Sequence, residues 1–162
     1  MNPEEHLTVG FVDDVHTTDT PQGRAVRRII EGLKEFGIRV GDVASPEDAR
    51  AAFTALPEVD CILINWNLGG DSPQKRRDTE TLIREIRARN DTIPVFLMGE
   101  PGREAPLALS LEMVREVNEY IWVMEDTPEF IAGRITAAAK RYREKLLPPF
   151  FGELVRFSRD FE

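Results

Sequence analysis

Two adjacent carboxylates, Asp13-Asp14, close the first apolar run of this 162-residue chain. Clustered oxygens of this kind are what a hard cation such as Mg²⁺ requires. A pair alone is an incomplete shell, so Asp13 and Asp14 are weak metal candidates, and the plainer reading has both opening a loop toward solvent. Imidazole chemistry has little to work with. His6 lies near the N-terminus and His16 in a polar loop, neither has a partner at a useful spacing, and both are expected at the surface. The single cysteine, Cys61, sits in Cys61-Ile62-Leu63-Ile64, where a buried reduced thiol is expected and no internal disulfide can form. Gly69-Gly70 lacks the Gly-Lys-Ser/Thr that completes a phosphate cradle. Lys75-Arg76-Arg77 could meet a phosphate or an acidic neighbour, although a solvated loop is the simpler expectation. Trp66 and Trp122 fall at the ends of strand-like runs, where packing is the default role of an indole.

Composition narrows the classes further. A net charge of −8 gives no general attraction for nucleic acid or for an anionic membrane. Hydrophobic residues at 41% and charged residues at 31% suit a single folded domain with a full core. No leader-like segment and no apolar run of membrane-spanning length is present, so a cytoplasmic protein is expected, and the sequon at Asn90-Asp91-Thr92 carries no weight.

Positioning any of these residues falls to an alternation of short apolar runs and helical patterns, the mark of an α/β fold with a parallel sheet. Strands are expected at Thr8 to Val12, Arg39 to Val43, Cys61 to Ile64, Pro94 to Met98 and Glu119 to Val123. The first helix is expected over Gly23 to Phe36, burying Val26, Ile29, Ile30 and Leu33 and stopping at Gly37. Ser45-Pro46 starts a second helix that carries Ala49, Ala52, Phe53 and Leu56 inward, and after a polar loop to Arg77 a third buries Leu82, Ile83 and Ile86. A short fourth is expected over Leu109 to Val117, and Thr127-Pro128 caps a fifth that stops at Pro148-Pro149. Five strands each followed by a helix predict a flavodoxin-like, receiver-like three-layer sandwich with sheet order 2-1-3-4-5. Residues 1–142 would form this domain and 143–162 a linker ending in an amphipathic segment. Its apolar residues Phe150, Phe151, Leu154 and Val155 are the expected interface.

Against the receiver pattern, only the first element is similar. Asp13-Asp14 resembles the acidic pair that holds magnesium. The phosphoacceptor position reads Asn65, whose amide is not a usable nucleophile; the hydroxyl position reads Gly99, and the lysine position Val123 or Met124. Phosphotransfer is therefore not expected.

A second resemblance is more specific. Glu119-Tyr120-Ile121-Trp122, then Glu125-Asp126-Thr127-Pro128-Glu129-Phe130-Ile131-Ala132-Gly133-Arg134 and Leu146-Leu147-Pro148-Pro149-Phe150-Phe151, resembles the N-terminal part of the pyridoxal-phosphate-dependent ornithine/lysine/arginine decarboxylases. Leu7 to Val123 is similar, with weaker motifs, to their flavodoxin-like wing domain. The resemblance implies a non-catalytic assembly or regulatory domain. Its partners would be the remainder of its own decarboxylase chain and neighbouring subunits, in a homo-oligomer. Pyridoxal phosphate would belong to the full-length protein and not to this chain. The Ser-x-His-Lys motif that holds that cofactor is missing, and Lys34, Lys75, Lys140 and Lys145 all lie on helix faces or in a polar loop. The chain ends at Glu162, where the core would begin, and so reads as an N-terminal domain separated from its core. The alternative is a free-standing degenerate receiver that binds a protein partner without phosphorylation.

Overall fold

The computed structural model describes residues 6–41, 45, 48–49, 59–65, 73–99 and 115–146. Five parallel strands form one sheet, β1 (Thr8–Val12), β2 (Arg39–Val40), β3 (Cys61–Asn65), β4 (Val95–Gly99) and β5 (Glu119–Trp122), in the order β2-β1-β3-β4-β5. Among the described residues, the helices α1 (Pro21–Glu35), α2 (Pro73–Arg89) and α3 (Pro128–Leu146) pack on its two faces. The apolar runs of β3 and β4 are buried at every residue, as central strands covered on both sides must be. Alternation along the strands sorts the core. Val9, Phe11, Cys61, Leu63, Phe96, Met98 and Ile121 meet Val26, Ile29 and Leu33 of α1 and Ile131 and Ile135 of α3. Val12, Ile62, Ile64, Val95 and Leu97 meet Leu82, Ile83 and Ile86 of α2.

Helix starts follow proline rather than the apolar stripe alone. Thr20 caps α1, its Oγ1 accepting from the Gly23 amide at 3.0 Å, and Pro21 fills the first turn, so the helix begins two residues before the expected Gly23. Gly37 ends it at φ 81°, the left-handed conformation that closes a helix when the next amides turn back, here Gly37 N–H to Lys34 O and Ile38 N–H to Leu33 O. The expected loop around Lys75-Arg76-Arg77 is instead the first turns of α2, which begins at Pro73. Gly32 is where α1 touches the start of α3: a Cβ there would run into the Pro128 side chain.

α3 also runs past the expected boundary at residue 142. In its last turns Arg143 grips Asp60 with both Nε (2.8 Å) and Nη2 (2.9 Å) and donates to the His6 carbonyl, while Asp60 accepts the Thr8 amide. The end of the helix is thereby bolted to the amino ends of β1 and β3, because a bidentate guanidinium–carboxylate pair fixes direction as well as distance. The second expected helix lies largely outside the described residues, though Asp48 and Ala49 are helical and Ala49 is buried. Of the fourth, only Arg115 to Val117 is described.

Candidate functional site

The carboxyl ends of the strands bring together the residues that the receiver pattern singles out. Asp13 follows β1, Asn65 is the last residue of β3, Gly99 the last of β4, and Val123 follows β5. Asp13 does not face solvent as expected. It is 1% exposed, and the reason is local. Its Oδ2 turns back on its own chain and accepts the amides of Val15 (2.9 Å) and His16 (2.6 Å), an Asx-type turn, and also the His16 ring Nδ1 at 3.0 Å. Its Oδ1 accepts Nδ2 of Asn65 at 2.5 Å. Asp14 is half-buried beside it.

N–H groups surround the Asp13 carboxylate. Asn65 is the instructive member of the set. Where a nucleophilic carboxylate would stand, an amide donates its hydrogen to Asp13 and converts two like charges into a donor–acceptor pair. Both Asp13 oxygens are thus engaged by the protein. Among the described residues no group of three or more His, Cys, Asp or Glu side chains is arranged to hold a metal ion. The remaining positions offer no phosphoryl ligand: Gly99 has no hydroxyl, Val123 is buried, and Met124 is half-exposed thioether.

His16 departs from the surface role expected of it, since its ring pairs with Asp13. The signal was the three-residue spacing in Asp13-Asp14-Val15-His16, which an Asx turn closes. Arg27 was not foreseen either. From α1 it donates to the carbonyls of His16 (2.5 Å) and Thr18 (2.9 Å), tying the β1–α1 loop to the helix that follows. His6 is half-buried, its Nδ1 3.2 Å from the Gly37 carbonyl.

The other polar clusters stitch the fold together. Arg87 donates to the carbonyls of Ile93 (2.6 Å) and Glu116 (2.9 and 2.8 Å) and to Asn118 Oδ1 (2.9 Å), joining α2 to the segment before β5. Burial pulls its guanidinium down from the usual range, and the Glu116 and Asp91 carboxylates oppose that. Burial likewise pushes the Tyr120 phenol up, and it pushes the Cys61 thiol far up, with Asp60 and Glu119 adding to it. An inert neutral thiol results. Trp122 is half-buried, its amide held by Asp126 Oδ2 at 2.8 Å. Trp66 and the expected interface residues Phe150, Phe151, Leu154 and Val155 lie outside the described residues.

Pyridoxal phosphate needs a desolvated lysine, and among the described lysine side chains none has that setting. Lys34 is half-exposed, and Lys140 and Lys145 are exposed.

Fold and site together define a receiver-like α/β domain whose phosphoacceptor position has become part of a hydrogen-bond network. A response regulator receiver domain from Clostridium thermocellum superposes with a TM-score of 0.62 at 18% identity, over 85% of this chain and 97% of that one, a likeness of fold. Lysine decarboxylase A from Pseudomonas aeruginosa superposes with a TM-score of 0.69 at 26% identity, over 96% of this chain but 21% of that one. The chain belongs to the Orn/Lys/Arg decarboxylase N-terminal domain family, whose model matches residues 21–142. It is 35% identical over 140 residues to the biodegradative arginine decarboxylase of Escherichia coli (strain K12), a match covering 86% of this chain and 18% of that protein. It therefore spans about a fifth of the length of the curated decarboxylases it resembles.

Proposed function

We propose that this chain is the non-catalytic assembly and regulatory domain of a pyridoxal-phosphate-dependent decarboxylase of a basic amino acid. One observation carries the reading: the match is confined to the N-terminal domain of such enzymes, while the domain's inherited site is spent on the Asp13–Asn65 hydrogen bond. Cofactor and substrate chemistry would reside in the remainder of the polypeptide. That remainder and neighbouring subunits would be the partners, in a cytoplasmic homo-oligomer. Phe150, Phe151, Leu154 and Val155 would supply apolar contact to the following domain; several such side chains amount to several kcal/mol at about 25 cal/mol per Å².

The test begins with the mass of the native gene product, by immunoblot of source cells. A band several-fold heavier than 18.4 kDa is expected. Deleting residues 1–142 from that longer product should then leave the cofactor's absorbance and the turnover per active site intact while the oligomer becomes smaller. A native band at 18.4 kDa would overturn the reading and favour a free-standing adaptor. So would an unchanged assembly after the deletion.

A further inference from the structure

The solvent face of α3 carries features that the domain's own packing does not explain. Along one side of the helix stand Glu129, Phe130, Gly133, Ala137, Lys140 and Arg141, all exposed, and the helical period places them on one face. Phe130 is 50% exposed although its ring is held in place: the Arg134 guanidinium lies over it at 5.3 Å, and Glu119 on β5 anchors Arg134 at 2.8 Å. A fixed aromatic presented to water is the kind of group that interfaces use as an anchor. Gly133 adds a second oddity. Glycine is an unfavourable residue in mid-helix, and at Gly32 the price is explained by Pro128. At Gly133 a Cβ would meet nothing within 4 Å, so nothing inside the domain asks for glycine there.

Charge selects the occupant. Carboxylates gather at the start of α3 (Glu125, Asp126, Glu129), and toward its end the cations Lys140, Arg141 and Lys145 outnumber the one exposed carboxylate, Glu144. Two copies of such a helix laid antiparallel place each acidic end on the other's basic end, with the helix dipoles opposed. Centring the crossing between Gly133 and Ala137 sets these two small residues against each other across a two-fold axis. It also brings Glu129 to Arg141 and Phe130 to Lys140, each contact made twice. Small residues at the centre let the helix axes approach at the short end of the usual range.

We propose that α3 is an isologous self-association surface, pairing antiparallel with α3 of a second copy of this chain. It rests on the assembly reading above and names the surface that would perform it.

Sedimentation velocity of the 162-residue chain across a wide concentration range tests this. A concentration-dependent dimer is expected. Glu129→Lys and Arg141→Glu should each weaken it by at least about tenfold, since each variant sets like charges together twice. An equimolar mixture of the two variants should recover the dimer, because in the mixed pair both contacts are again opposite in sign. Gly133→Trp should give a monomer with unchanged far-ultraviolet circular dichroism. A chain that stays monomeric, or a dimer indifferent to all three substitutions, would overturn the proposal, and so would a failure of the mixture to recover. The two readings fail separately. If the charge-swap rule holds but the longer gene product assembles normally without residues 1–142, the assembly function is wrong and the surface stands. If the rule fails while that deletion shrinks the oligomer, the domain assembles subunits through another face.

Discussion

Removing the Asp13 carboxylate should weaken this domain, and the sign of that effect is the informative part. In a working acidic site, carboxylates are crowded for the sake of a ligand, and neutralising one commonly stabilises the apo protein. Here Asp14 stands beside Asp13, but N–H donors take up both Asp13 oxygens. The Asp13 carboxylate accepts from the amides of Val15 and His16, from the His16 ring and from Asn65 Nδ2. In Asp13→Ala these donors lose their acceptor. The His16 ring, with 26% of its side chain exposed, can turn to water, and the two loop amides can be partly rehydrated. The Asn65 amide, 5% exposed, cannot. One buried bond lost and two or three further bonds exchanged for water give a loss of about 2–4 kcal/mol. That is a large share of the roughly 5–15 kcal/mol by which domains of this kind are stable.

Equilibrium urea unfolding followed by circular dichroism measures this directly, with the slope of the transition checked against the unaltered chain. Asn65→Asp provides the complementary perturbation. It replaces the donor by a second carboxylate at hydrogen-bond distance, so the domain should again be weaker near neutrality. Two close carboxylates hold a proton more readily than an unfolded one does. The folded state of that variant therefore binds more protons, and its deficit should shrink as pH falls through the carboxylate range. If Asp13→Ala proved more stable than the parent, or if Mg²⁺ raised the melting temperature of the unaltered chain in an Asp13-dependent way, the reading of this site as a closed network would be refuted.

Three further outcomes follow from the structure. The folded state holds Cys61 neutral, so its stabilising contribution is complete below the unfolded thiol's pKa of about 8.5 and is lost as pH rises beyond it. Unfolding midpoints should fall between pH 8 and 10 more steeply than in Cys61→Ala, and a thiol reagent should label Cys61 only as fast as the domain opens. Gly32→Ala should cost about 1–3 kcal/mol because its methyl meets Pro128, whereas Gly133→Ala should gain about 0.5–1 kcal/mol from helix propensity alone; thermal melts of the pair at low concentration separate the two. A double-mutant cycle of Asp60→Ala with Arg143→Ala should return a coupling of about 1–2 kcal/mol, since the carboxylate is largely buried and the contact bidentate. A coupling near zero would mean that α3 needs no bolt at its end.

What the sequence made legible was whatever is written locally. Cys61-Ile62-Leu63-Ile64 could only be a central strand, and Thr127-Pro128 could only start a helix. The same cap-and-proline pattern at Thr20-Pro21 marked α1, but its polar neighbours hid it behind the apolar stripe that starts later. Pro73 likewise opens α2 inside a stretch whose charge suggested a loop. The site was half visible. Sequence alone placed Asn65 at the position where a receiver carries its phosphoacceptor. It could not show where the Asn65 amide points, because its partner Asp13 lies 52 positions away and only the β1–β3 pairing brings them together. The Asp60–Arg143 contact, 83 positions apart, was hidden for the same reason.

The two ends of the sheet then suggest a division of labour that a switching receiver could not have. A receiver responds because its acidic end has two arrangements separated by a few kcal/mol, selected by metal and phosphoryl group. In this chain the amide of Asn65 and the Asx turn at Asp13 supply internally the contacts that such ligands would make. The opposite end is pinned by Asp60 and Arg143, which ties the last turns of α3 to the sheet. Rigidity is an advantage for a surface that must present Phe130 and its flanking charges in register, because ordering a loose surface on contact would consume part of the binding free energy. Loosening the Asp13 network with Asn65→Asp should therefore weaken self-association through α3, even though the substitution lies far from that face. Sedimentation of that variant at a pH where it remains folded tests the link. A dimer of undiminished affinity would mean that the quiet site and the exposed helix are independent inheritances of one fold.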